Sequence, residues 1–223
     1  MKETIGQVFS ISRDNKPLPF LTISKEISDG IIYFSLAKNT DISAEIYSNH
    51  KLLIVVDGNM EVYISNKQSF HLTTLEMIVT DTNIPIGIKA NEDVVYTEIN
   101  LRRNDKMNEL IKAGEVFKLK DLLPYQEGKI VNMDFIHNDK MKFVVMSFDE
   151  GTALSEHAAP GEALIFALDG EGIIGYEGKE HEIHQGENFH FAKGGMHYVK
   201  AKGKFKMALI DTWNISTLSK PFL

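Results

Sequence analysis

His157 and His197 are the residues of this chain whose type and placement could do chemistry. A neutral imidazole offers a nitrogen lone pair to a metal and carries a proton near neutral pH, so two aimed at one point make a metal site or a proton-handling pocket. Their interest comes from a repeat. The second half of the chain echoes the first at a spacing of about 110 residues: Gly6-Gln7-Val8-Phe9 against Gly114-Glu115-Val116-Phe117, and Leu52-Leu53-Ile54-Val55-Val56-Asp57-Gly58 against Leu164-Ile165-Phe166-Ala167-Leu168-Asp169-Gly170. Where the second copy has His157 and His197, the first has Glu45 and Ile86. The histidines are therefore additions to one copy of a shared framework. With no cysteine in the chain, any metal must take imidazole, carboxylate or water ligands.

Short strands must position these residues. Each half reads as runs of four to eight apolar or alternating residues rich in Val, Ile, Phe and Tyr, separated by Asp-Gly, Glu-Gly and Asn-rich turns. Leu52 to Val56 suits a strand covered on both faces, Asp57-Gly58 reads as a turn, and Met60, Val62 and Ile64 then alternate with polar or amphipathic neighbours. The second copy follows the same plan through Leu164 to Leu168, Asp169-Gly170, Ile173 onwards and Glu177-Gly178. Ser35, Asn39, Thr40 and Ser43 face Ser147, Gly151, Thr152 and Ser155 at a constant offset. Asn and Gly both accept positive φ, so the pair Asn39 and Gly151 predicts a shared backbone requirement. Between the copies the spacing predicts one connecting helix: Asn104 as cap, Asp105 in the first turn, Met107, Leu110 and Ile111 on one face, Lys112 near the end and Gly114 as terminator. No flexible linker is evident, so two barrels packed on each other through an apolar interface are expected.

The motif spacing is more specific than the strand pattern. Gly151 is followed after five residues by His157 and then by Ala158-Ala159-Pro160-Gly161-Glu162-Ala163, ahead of Gly170. Gly186 is followed after five residues by Ala192, then Lys193-Gly194-Gly195-Met196-His197. This pair of patterns resembles the two motifs of the cupin superfamily, over the body of the C-terminal half and in decayed form over the N-terminal half; the chain resembles a bicupin. The resemblance implies an all-β chain of two tandem jelly-roll β-barrels joined by the short helix, with residues 1–104 as a degenerate N-terminal barrel and 105–223 as the barrel that carries the site. In metal-binding cupins the first motif supplies two histidines and a glutamate, and the second another histidine. His157 and His197 match the first and last of these, whereas Ala159 and Ala163 stand at the other two positions. The resemblance thus implies a divalent transition metal, Zn, Ni, Fe or Mn, on His157 and His197 of the C-terminal barrel. Glu162 adjoins Ala163; strand alternation points it to the opposite face unless the strand is bulged, and with His181 it is the candidate for a further pocket-lining residue, as ligand or acid/base. His181 shares parity with Ile183 and is the candidate third ligand, His184 and Gln185 should face solvent, and His190, between Phe189 and Phe191, should lie on the other sheet face. The open alternative for His157 and His197 is a pair of hydrogen-bonded interior histidines. In the first copy Glu45, Tyr47, Lys51 and Ile86 cannot rebuild a histidine site, and His50, which corresponds to Glu162, falls at the periphery. That barrel is either a structural partner or a non-metal pocket using Glu45, Tyr47 and Lys51.

Composition narrows the function classes. At 223 residues with 43% apolar content, the chain has room for two packed domains. No apolar run is long enough to span a bilayer, and Met1-Lys2-Glu3-Thr4-Ile5-Gly6 lacks a secretion-signal pattern, which predicts a cytoplasmic protein without membrane partners. A net charge of −7 argues against a phosphate-neutralising surface, so nucleic acid is not an expected partner. No Gly-rich phosphate loop, His-Glu-x-x-His helix or Gly-x-Ser-x-Gly elbow occurs. Asn214-Ile215-Ser216 fits a glycosylation pattern that carries no information without a secretion signal. The cupin resemblance then implies one of two readings: a metal-dependent enzyme of dioxygenase, isomerase or decarboxylase type on a small substrate, or a non-catalytic module that binds or senses a small molecule in the same barrel, as a monomeric bicupin or a homodimer.

Overall fold

Apolar and alternating runs become strands along most of the chain. The computed structural model describes residues 5–28, 30–64, 68–102 and 105–212. They form two compact units, Ser10–Leu122 in one and the described parts of Met1–Phe9 and Leu123–Leu223 in the other. The chain has the expected all-β, jelly-roll-like class.

In Ser10–Leu122 one sheet runs in the order Val116–Phe117, Met77–Val79, His50–Asp57, Val94–Leu101, Ile31–Leu36, Thr22–Ser28. A second runs Asp41–Ile46, Pro85–Lys89, Asn59–Ile64, Gln68–Thr73. Their inward rows meet in one buried cluster that includes Leu53, Val55, Met60, Val62, Leu72, Ile88 and Tyr96. Burying each such aliphatic side chain stabilises the unit by about 1.5–3 kcal/mol, which is why strand alternation dictates the sandwich.

The other unit uses the same plan with longer strands. Glu162–Tyr176 pairs in its first half with Asn188–Phe191 and in its second with Lys179–His184, while Met196–Thr212 runs antiparallel beside it. Ile130–His137 and Met141–Phe148 continue the sheet from Met196–Thr212, and Ala153–Ala158 pairs with the start of that strand. Val144, Met146, Phe148, Ile165, Phe189, Phe191, Phe205 and Met207 form the core.

The Asp-Gly pairs act differently from the turns expected of them. His50–Asp57 lies in one sheet and Asn59–Ile64 in the other, and in the second unit the 15-residue strand Glu162–Tyr176 passes straight through Asp169-Gly170. They are bends that carry a strand between layers. Gly58 and Gly170 have φ of 85° and 70°, and a Cβ there would run into the carbonyl oxygens of Asp93 and Lys204. The tight hairpin falls at Glu177-Gly178, both at positive φ, joining Glu162–Tyr176 to Lys179–His184. Asn39 and Gly151 have φ of 64° and 76°, and the following Thr40 and Thr152 hydroxyls each donate to a carbonyl three residues back at 2.7 Å, to Ala37 and Asp149.

The connecting helix does not form. Asn104 lies outside the described residues, and residues 105–114 hold a short strand and turns. Asp105 accepts from the Arg102 backbone N–H at 2.8 Å, and the Asn108 side chain accepts from the Leu110 N–H at 3.1 Å while its carbonyl accepts from Ile111. These side chains offer the backbone local partners that compete with helical ones. The apolar stripe is also split, since Ile111 is buried and Leu110 is 65% exposed.

The structural units also divide the chain elsewhere than residue 104. The boundary lies between Leu122 and Leu123, and the opening segment joins the second unit. The matched Gly-x-Val-Phe segments explain this. Val8–Phe9 pairs with Asn188–Phe191, and Val116–Phe117 pairs with Met77–Val79. The Gly6 N–H donates to the His190 carbonyl and the Gly114 N–H to the Val79 carbonyl, both at 2.9 Å. The segment heading each sequence copy thus supplies an edge strand to the unit made from the other copy. Among the described residues no helix is long and apolar enough to cross a membrane.

Candidate functional site

A β-bulge builds the centre of the site. Along the pairing of Ala153–Ala158 with Met196–Thr212, Leu154 faces Val199 and the next aligned pair is His157 with His197, so three steps on one strand match two on the other. The extra residue reverses the alternation, and His157 comes to share a direction with core-packed Leu154. The two imidazole centroids are 4.2 Å apart with the rings tilted by 52°. The first unit repeats the device: Ile42 pairs with Ile88 and then Glu45 with Ile86 across an identical shift. Glu45 and Ile86 therefore stand where His157 and His197 stand, as the repeat predicts.

Backbone carbonyls set the tautomers. Nδ1 of His157 lies 2.8 Å from the Ser155 carbonyl oxygen and Nδ1 of His197 lies 3.2 Å from that of Gly195. A carbonyl can only accept, so each Nδ1 is the protonated nitrogen and each neutral ring keeps its lone pair on Nε2. His157 is exposed and His197 buried. Burial pushes the His197 pKa down, opposed by the Gly195 carbonyl and aided by the neighbouring His157, which keeps this ring in its neutral, lone-pair form. The His197 ring lies 4.3 Å from that of Phe191, which lies 5.0 Å from Phe189. An aromatic wall thus runs from the histidines into the core.

The other sequence candidates lie apart from this pair. His181 does face the interior, but it packs on Phe189 at 5.3 Å, with Phe189 and Phe191 in the ring series between it and His197. Glu162 is exposed and reaches toward His190, 3.9 Å away, on the face opposite core-buried Ala163. His190 is buried on that outer face and His184 is exposed, bonded to Glu187, as alternation predicts. Ala159 and Ala163 point inward, so methyl groups occupy the places of the cupin histidine and glutamate.

Two residues missed by sequence reasoning belong here. Asp211 is buried and continues the inward row Phe205, Met207, Leu209, directly across from Ala163 on one side and Lys142 on the other. Burial pushes its carboxyl up to about 6, against the charges of Lys142 and His157, which favour the carboxylate. Lys142 itself continues the inward row Val144, Met146, Phe148. The available signal was a charged residue at the end of a period-2 apolar row in each strand.

Among the described residues no group of three or more His, Asp or Glu side chains could hold a metal. The donor chemistry suits two Nε2 ligands with remaining positions open to water or ligand, and does not suit a closed four-ligand site.

Comparison with known proteins bears on the fold that carries this pair. Residues 144–213 match the family Cupin domain. That segment of the C-terminal half thus carries a cupin domain match. The chain resembles the solved cupin 2 conserved barrel domain protein from Leptotrichia buccalis at 27% identity and a TM-score of 0.83, covering 96% of this chain and 99% of that one. Its fold is also that of the salicylate 1,2-dioxygenase from Pseudaminobacter salicylatoxidans, at 9% identity, TM-score 0.62 and coverage of 86% and 76%. Oxalate decarboxylase of Bacillus subtilis, as a point mutant, aligns at 12% identity, TM-score 0.54 and coverage of 94% and 78%. No curated protein matches this chain.

Proposed function

We propose that this protein binds a small molecule in its C-terminal barrel, with His157 and His197 supplying Nε2 lone pairs to a divalent transition metal and Asp211 holding or releasing a proton beside it. The observation that carries this reading is the Nδ1-to-carbonyl bond on both rings, which leaves two lone pairs on rings 4.2 Å apart. Carbonyl-anchored imidazoles are the usual orientation of metal-ligating histidine. The metal when bound would act as a Lewis acid on an oxygen of the ligand. His197 is buried and kept neutral, so its donor is available without prior proton loss. Phe191 offers an apolar wall, and Asp211, at about 6, can exchange a proton near neutral pH. With two side-chain donors the metal should be held weakly until the small molecule adds a third.

The test is metal content and metal titration of protein without a histidine tag, with Zn, Ni, Mn and Fe(II). Weak binding that disappears in both His157→Ala and His197→Ala supports the reading. Unchanged binding in both variants refutes it. A non-catalytic module for a small molecule alone is the second reading, favoured by Ala159 and Ala163 at the missing ligand positions.

A further inference from the structure

The N-terminal barrel encloses a cavity of about 130 Å³ that the histidine site does not use. Phe34, Ile42 and Ile88 line its apolar side, and Lys51, Glu98 and Tyr96 its polar side. The Tyr96 phenol oxygen is fully buried and has no hydrogen-bond partner among the described residues. Such a group normally costs about 1–3 kcal/mol unless something satisfies it. Its ring is held in place by stacking on Phe34, with centroids 5.0 Å apart and planes within 4°. Lys51 is already engaged twice: its Nζ lies 2.8 Å from a Glu98 carboxylate oxygen and 3.5 Å from the centre of the Tyr47 ring. The ion pair makes the polar wall neutral as a whole. What the cavity still lacks is an acceptor for a neutral hydroxyl, beside aliphatic side chains.

We propose that this cavity is a second ligand site, taking a small neutral carbonyl compound whose oxygen accepts from the Tyr96 hydroxyl and whose short apolar end packs on Ile42, Ile88 and Phe34. An engineered cavity of about 150 Å³ holds benzene, so about six non-hydrogen atoms fit here. Burial pushes the Tyr96 phenol pKa well above its ordinary value, which keeps it a donor at any physiological pH. A carboxylate of the same size is the poorer occupant, because Lys51 is spent on Glu98 and the added anion would meet the Glu98 carboxylate in a desolvated space. Ile86 itself lines the cavity, and Tyr47, another lining residue, donates its hydroxyl to Glu45 at 2.7 Å, so the copy without histidines keeps a pocket at the matching place with different chemistry.

The test is a methyl-resolved NMR titration of the full chain with butyramide, 2-pentanone and butyrate. Saturable shifts of the Ile42, Ile86 and Ile88 methyls with a neutral compound, weaker with butyrate, are expected. Tyr96→Phe keeps the stacked ring and removes only the donor, so it should melt no lower than the parent and bind the neutral compound about fivefold more weakly. No saturable shift with any of the three means a cavity filled by water and overturns the proposal. So does stronger binding of butyrate, or undiminished binding by Tyr96→Phe.

Discussion

At the scale of single residues, the site is decided by what surrounds each titratable group. The folded pKa of Asp211 is raised to about 6 from 3.8, so the folded chain holds this proton more tightly than the unfolded chain and the ionised form is the costly one. The cost is full above about pH 6 and fades as the pH falls toward the unfolded value. Asp211→Asn in metal-free protein should therefore stabilise by about 2–3 kcal/mol near pH 8 and by well under 1 kcal/mol near pH 4, read from urea unfolding at both pH values. His197 runs the other way: its pKa is lowered, so its contribution is present above the ordinary value of 6.5 and is lost as the pH falls below it. Metal linkage gives a second expectation. An ion at about a hundred times its dissociation constant stabilises the folded state by about 2.7 kcal/mol if the unfolded chain does not compete. His157→Ala and His197→Ala should each lose most of that gain in thermal melts, and His184→Ala, exposed and bonded to Glu187, should keep it.

At the scale of elements, a bulge and a glycine bend do the positioning. The bulge between Leu154 and His157 turns a residue that simple alternation would send outward into the partner of His197. Gly170 lets one strand serve two layers because it combines a positive φ with a close carbonyl. Gly170→Ala meets both penalties, whereas at Gly178 a Cβ meets nothing within 4 Å and only the backbone conformation is penalised. Gly178→Ala should cost about 1–2 kcal/mol and Gly170→Ala clearly more, compared by denaturant midpoints of the second unit. The missing connector helix teaches the complementary point. Its stripe of Met107, Leu110 and Ile111 was legible, but Asp105 and Asn108 spend their side chains on turns, and helix propensity over so short a span cannot outweigh local hydrogen bonds.

At the scale of the whole molecule, the exchange of the opening segments matters most. Val8–Phe9 completes the edge beside Asn188–Phe191, and Val116–Phe117 the edge beside Met77–Val79. Removing residues 1–9 should therefore raise amide hydrogen exchange at Phe189 and its strand neighbours while leaving Met77–Val79 protected, measured by exchange mass spectrometry. Equal deprotection of both strands would show that the segment does not act through this edge.

What the sequence determined alone was whatever rests on alternation and on spacing. Strand class follows from period-2 burial, the barrel that carries the histidines from the comparison of two copies, and the outward placement of His190 from parity. Tertiary structure decided whatever depends on which strands become neighbours. Asp211 reaches the site because Met196–Thr212 lies between Met141–Phe148 and Glu162–Tyr176, a register that no local pattern encodes. The same holds for the unit boundary and for the Tyr96 cavity: each arises from contacts between residues far apart in the chain, whose energies appear only once the sheets have packed.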